Sequence, residues 1–129
     1  MTARMLEVSR DIGAPVEAAW RLLVDTATWP QWGITVRGLE STDRCMRLGS
    51  RGRVRTVGGL WVPFEVTSFE DGRAWTWYVG GIASIGHRVV PTSTGRCRVT
   101  FELPWLAWPY AVVCRLALRR IARMLEVRT

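Results

Sequence analysis

Between residues 96 and 103 the chain alternates without a break: Cys97, Val99, Phe101 and Leu103 are apolar, while Arg96, Arg98, Thr100 and Glu102 are polar. A period of two marks a strand with one face on a core, so the odd positions face inward. Shorter runs of the same kind predict strands over 36–42, 51–58, 60–69, 73–80, 83–91 and 95–103, punctuated by Gly49, Gly58-Gly59, Asp71-Gly72, Gly80-Gly81 and Gly95. Met5 to Asp11 adds a first strand, with Leu6 and Val8 on one side and Glu7 and Ser9 on the other. Short connections between successive strands require antiparallel neighbours, so the seven strands form a meander.

The period changes twice. Ala14-Pro15-Val16-Glu17 opens a helix with proline at its first position, and Val16, Trp20, Leu23, Val24 and Ala27 form its apolar face. Asp25-Thr26 interrupts it, and Trp29-Pro30-Gln31-Trp32-Gly33 reads as a short second helical turn whose two tryptophans fold back onto the sheet. At the other end Pro104 stops the last strand near Leu103, and a long helix begins close to Pro109. Its buried stripe is Tyr110, Val113, Cys114, Ala117, Ile121 and Met124, widened by Leu118 and Leu125, while Arg115, Arg119 and Arg123 form a separate wet line. An open sheet with one apolar face needs a cover, so this stripe is expected against Phe101, Val99 and Ile85.

Registers follow from the turns. If the Asp71-Gly72 connection spans four residues, Val66 lies opposite Trp75 and Phe64 opposite Trp77. A three-residue loop at Gly80-Gly81 puts His87 opposite Trp75 or Trp77, with the imidazole beside an indole inside the sheet. Glu65 and Arg55 fall on the outer face.

Composition narrows the reading. A chain of 129 residues, 48% hydrophobic, fits one domain with a sizeable core. Eight tryptophans are unusual in so short a chain, and such large amphipathic rings line cavities and interfaces. All 18 basic residues are arginine and the net charge is +7, which reads as the codon bias of a GC-rich, bacterial genome rather than as a phosphate-binding device. Arg51, Arg53 and Arg55 on one strand, and Arg115, Arg119, Arg120 and Arg123 on the helix, accompany no nucleic-acid motif, so no nucleic-acid partner is expected. Three cysteines without paired spacing and a single histidine indicate neither a metal site nor a disulfide framework. A reducing cytoplasm is the expected home. The first nine residues lack a signal-peptide apolar core, and the apolar stretch from Leu103 to Leu118 carries two prolines and Arg115 and is too short to span a bilayer.

The order of elements, with Ile12-Gly-Ala-Pro-Val-Glu-Ala-Ala-Trp20 followed by Asp25, Trp29-Pro30 and Trp32, resembles the START-like, or SRPBCC, superfamily in its polyketide cyclase/dehydrase branch. Gly49-Ser-Arg-Gly-Arg53 and Trp61-Val-Pro-Phe-Glu-Val66 resemble that superfamily's middle hairpin. The resemblance covers residues 1–129 as one domain. It implies an α+β helix-grip fold, a seven-stranded antiparallel sheet wrapped around a long C-terminal helix, and a deep cavity between them for apolar or aromatic small molecules. Fold alone does not choose among the superfamily's cyclases, lipid carriers and receptors.

No nucleophile–base pair, phosphate loop or dinucleotide fingerprint is present, and no cofactor or metal is expected. His87 is the candidate catalytic residue, since a neutral imidazole can act as acid, base or ligand donor. The alternative is a core histidine satisfied by a backbone carbonyl, Tyr78 or Thr76. Trp75, Trp77, Phe64, Ile85, Phe101, Tyr110 and Cys114 are the candidate ligand-binding residues, with plain core packing as their alternative. The expected function is binding of a small hydrophobic or aromatic ligand, with polyketide cyclase or dehydratase chemistry as an open extension. The rivals are a non-enzymatic lipid or quinone carrier, and a module that contacts membrane or nucleic acid through the arginines and the Trp105 to Trp108 segment. The oligomeric state is left open.

Overall fold

The structure, a computed structural model, describes residues 5–32, 38–55 and 59–126. In order they form β1 (Met5–Ile12), α1 (Val16–Val24), α2 (Trp29–Trp32), β2 (Gly38–Ser41), β3 (Arg51–Arg55), β4 (Trp61–Glu70), β5 (Ala74–Val79), β6 (Ile82–Ser93), β7 (Arg96–Pro104) and α3 (Tyr110–Glu126). All seven strands join one antiparallel sheet in the order β1-β7-β6-β5-β4-β3-β2, so the meander closes by pairing its last strand with its first. This is the helix-grip arrangement. The expected ends of the strands near residues 36, 37 and 56–58, and the closing Gly33, lie outside the described residues.

Two turns differ from expectation. Glu70 pairs with Ala74, so the β4–β5 turn holds three residues, with Gly72 in the left-handed region at φ 78°. The position of this turn, centred on Gly72, and a one-residue register shift between Val66 and Ser68 together set the partners. Val66 therefore faces Trp77 and Phe64 faces Val79, rather than Trp75 and Trp77. A one-residue register shift at Thr67 then lets Phe69 join Phe64 and Val66 on the inner face and pair with Trp75. At the β5–β6 turn Val79 pairs with Ile82 across only two residues, Gly80 and Gly81, both at positive φ as a tight hairpin turn demands. A register shift between Trp77 and Val79 restores the lost residue, and His87 faces Trp75.

Helices cover the inner face. Pro15 stands one residue ahead of its expected place, as the cap of α1 at φ −64° and ψ 152°, its carbonyl accepting from the amides of Ala18 and Ala19. Ala19, Trp20, Leu23 and Val24 are buried, whereas Ala27 falls in a 3-10 turn and is exposed. Asp25 caps that turn through the Ala27 amide and takes a two-pronged ion pair from Arg44, tying the helices to the β2–β3 connection.

A 3-10 turn at Trp105–Ala107 separates β7 from α3, which starts directly after Pro109. Its buried residues are Cys114, Ala117, Leu118, Ile121 and Ala122, so the stripe is centred further round the helix than the sequence pattern suggests. The helix packs chiefly on β1, with α1, α2 and β7 beside it, rather than over β6 and Ile85. The reason is bulk: α1 already lies over β6 and β7, which pushes α3 toward the sheet's β1 edge.

Candidate functional site

Directly opposed residues of antiparallel strands share a face, so the pairings fix a row that crosses the sheet. Phe69, Trp75, His87, Phe101 and Val8 are successive partners on β4, β5, β6, β7 and β1. A second row beside it holds Val66, Trp77 and Ile85. His87 is the polar member of this surface.

The rings of the two rows touch. His87 stacks on Trp75 with centroids 4.0 Å apart and planes 17° from parallel. Trp77 and Phe101 meet the imidazole edge-on at 5.8 and 5.3 Å. Trp77 also meets Trp75 at 5.2 Å and Phe64 at 5.1 Å. From α2, Trp29 lies parallel to Trp75 at 5.9 Å and edge-on to Trp77 at 5.3 Å, while Trp32 reaches Phe101 at 6.1 Å. The deep cavity expected here is thus occupied by protein rings, because the four-residue α2 folds its tryptophans into the curve of the sheet. Trp77, Ile85, Val79, Val62 and Leu39 remain only half-buried and form the open side of the cluster.

Hydrogen bonding divides the tryptophans. Trp29 donates from Nε1 to the Leu23 carbonyl at 3.2 Å, and Trp32 to the Leu22 carbonyl at 3.1 Å. The indole nitrogens of Trp75 and Trp77 are buried with no partner. His87 places Nδ1 3.3 Å from the Trp75 carbonyl. A carbonyl only accepts, so Nδ1 carries the proton and Nε2 keeps its lone pair. Burial lowers the imidazole pKa to about 4, against a smaller upward pull from that hydrogen bond. The site therefore offers two unsatisfied donors and one neutral imidazole within aromatic walls.

Of the residues singled out in the sequence, Phe64, Trp75, Trp77, His87 and Phe101 come together, and Ile85 sits opposite Trp77 on the same face. Cys114 is buried in the core of α3, and burial pushes its thiol up to about 11. Tyr110 does not line the interior: as the first residue of α3, it is carried to the surface by the preceding 3-10 turn. The hydrogen-bond partner of the imidazole is a backbone carbonyl, that of Trp75. Trp29 and Trp32 belong to the cluster but were not among the candidates. Their three-residue spacing, which puts both rings on one side of a helical turn, is the signal that points to them. Among the described residues no group of three or more His, Cys, Asp or Glu is placed to hold a metal ion.

Residues 4–126 match the sequence profile of a family described as polyketide cyclase / dehydrase and lipid transport. No curated protein matches the chain. Among solved structures it is similar to protein jhp0584 from Helicobacter pylori, with TM-score 0.77, 15% identity, and coverage of 96% of this chain and 89% of that one. It is also similar to protein MLL2253 from Mesorhizobium loti, with TM-score 0.77, 16% identity, and coverage of 95% and 97%. The Aha1 dimer from Colwellia psychrerythraea gives TM-score 0.74 and 16% identity, with coverage of 96% and 97%. At such identities the likeness is one of fold.

Proposed function

Because the chain belongs to the polyketide cyclase / dehydrase and lipid transport family, we propose that it binds a small, flat, largely apolar molecule that carries hydrogen-bond acceptors. The observation behind this reading is the pair of buried, unpartnered indole donors on Trp75 and Trp77. A buried donor left unsatisfied costs about 1–3 kcal/mol, and a ligand carbonyl or phenolic oxygen removes that penalty. Trp29 and His87 already lie parallel to Trp75, so a ligand that reaches its donor enters from the Trp77 side and displaces a ring. The half-buried residues Trp77, Val79 and Val62 offer the approach.

Binding, rather than proton abstraction, is the reading the chemistry favours. An imidazole whose pKa is held at about 4 is a weak base near neutral pH. Cyclase or dehydratase turnover would require ligand binding to bring that value back up.

Titration of intrinsic tryptophan fluorescence with fluorene and with its ketone, fluorenone, tests the reading. Each hydrogen bond gained is worth about 0.5–1.5 kcal/mol, so the ketone should bind several-fold more tightly than the hydrocarbon. Trp77→Phe, which keeps a ring and deletes the donor, should shrink that preference. Equal affinities would remove the acceptor from the argument, and binding of neither compound would remove the aromatic site. Turnover of a poly-β-ketone that is lost in His87→Gln while binding persists would establish the catalytic extension.

A further inference from the structure

An acid-free stretch of the chain, from Leu103 to Leu125, coincides with an apolar turn and a basic helix face. Leu106, Trp108 and Val112 are 74%, 64% and 62% exposed, and Trp105 and Leu116 join them on the surface. Arg115, Arg119, Arg120 and Arg123 follow along the same helix, all exposed. Six arginines elsewhere, Arg44, Arg47, Arg53, Arg73, Arg88 and Arg98, each pair with a carboxylate, while Arg10, Arg21, Arg51, Arg55 and Arg96 are single charges scattered over other parts of the fold. Among the described residues, no ion pair takes any of the four on α3.

We propose that this face docks on a bilayer of anionic phospholipid. The residues are sorted along the helix axis in the order such a surface presents. The apolar turn comes first, then Val112 and Leu116, then the arginines. At a rise of about 1.5 Å per residue, Val112 and Arg123 lie roughly 16 Å apart along the axis. That separation lets the tip sink the ~5–10 Å typical of interfacial helices while the guanidinium groups stay among the phosphates. Tryptophan is the side chain that prefers the interface itself. Between β1 and α3 a hollow of about 610 Å³ adds Arg10 to Arg115, Arg119 and Leu116, a recess of headgroup size whose wall also carries Glu7. Glu7 is engaged by Arg88. Among the described residues no helix is long and apolar enough to cross a membrane, and the contact proposed is with one leaflet.

A nucleic acid would satisfy the arginines but gives Leu106, Val112 and Leu116 nothing to cover. A second copy of the chain would cover the apolar turn but would bring four more unpaired arginines to the contact. A negatively charged bilayer accommodates both halves of the face, and this inference stands independently of the ligand in the aromatic interior.

Vesicle co-sedimentation with the intact protein tests it. Phosphatidylcholine vesicles containing about 30 mol% phosphatidylserine should retain the protein at low salt, and pure phosphatidylcholine vesicles should not, since each basic residue near an anionic surface adds to the attraction. Arg119→Glu combined with Arg123→Glu should weaken retention by roughly tenfold or more, and added salt should do likewise. Trp108→Ala with Leu106→Ala should sharply reduce quenching of tryptophan emission by brominated lipid, Trp105 being the exposed indole that remains in the turn. Far-ultraviolet circular dichroism and a cooperative melt establish that each surface variant is folded. Absence of retention at low salt, retention unaffected by either double variant, or displacement from vesicles by equimolar duplex RNA would overturn the proposal. So would a dimer in sedimentation velocity that the Trp108→Ala, Leu106→Ala variant dissolves without any vesicle binding by the parent.

Discussion

Trp29 and Trp75 lie nearly parallel 5.9 Å apart, yet their indole nitrogens have opposite fates. Trp29 and Trp32 stand just beyond the end of α1, where the last turn of a helix leaves carbonyls without an internal donor. Leu22 and Leu23 supply those carbonyls, and the two indoles fill them. Trp75 and Trp77 stand in the middle of a sheet, where the ladder has already committed the neighbouring backbone acceptors. Their N–H groups are buried with nothing to donate to. All four rings belong to one cluster, but one pair is a structural staple and the other is chemically unfinished. Aromatic content alone does not separate scaffold from site; the partner of the polar atom does.

Removing the staple should have the largest effect. Trp29→Ala deletes a buried ring and its hydrogen bond, with an expected loss of about 3–5 kcal/mol in urea unfolding. If the proposed ligand seats against Trp75, fluorenone should recover part of that loss by filling the vacated space. A variant as stable as the parent would show that α2 is not a staple.

Titrating the unfinished side should come next. The folded imidazole of His87 has its pKa lowered from 6.5 to about 4, so the unfolded chain takes up a proton first as the pH falls. Stability from this group is complete above the unfolded value and drains away as the pH descends toward the folded one. Between pH 7 and pH 5 the expected loss is about 2 kcal/mol, measured by denaturant midpoints, and His87→Gln should flatten it. Asp11, Asp25, Glu40 and Asp43 are all held below the ordinary carboxylate range by hydrogen-bonding partners, so their contributions fade only at lower pH.

The smallest effect should be the sharpest discriminator. Trp29→Phe and Trp77→Phe make the same chemical change, but the first breaks a hydrogen bond in a fully buried ring and the second deletes an orphan donor from a half-buried one. Trp29→Phe should therefore be the less stable by about 1 kcal/mol or more in matched thermal and chemical melts. Equal losses would erase the distinction drawn above.

Much of this was written in the alternation. Odd-position burial on β7, the inward setting of His87 beside an indole of β5, and the start of α3 after Pro109 follow from local pattern, whereas the choice of Trp75 over Trp77 rests on the two-residue turn and the register shift behind it. The pairings of Phe64 and Val66 were misplaced because they depend on where the β4–β5 turn is centred and on the extra residue at Thr67, neither of which strand composition states. Tyr110 fits the helical period but not the site, since burial of a helix's first residue depends on what precedes it. The filling of the interior by Trp29 was equally hidden. It follows from where α2 lands, and that is decided by contacts distant in sequence.

The extra residue at Thr67 has a bearing on the shape of the whole sheet. Phe64, Val66 and Phe69 would still face inward if the strand ran through this point without it, because the extra position and Ser68 together oppose the single residue Thr76. Thr67 is thus surplus to the apolar pattern. What such a residue contributes is bend and local twist, here on the strand whose Phe69 meets Trp20 of α1 edge-on at 5.7 Å. Curvature and hydrophobic patterning are consequently encoded at separate positions. A lineage of such proteins can open or tighten its grip by gaining or losing single exposed residues while every core side chain stays in place.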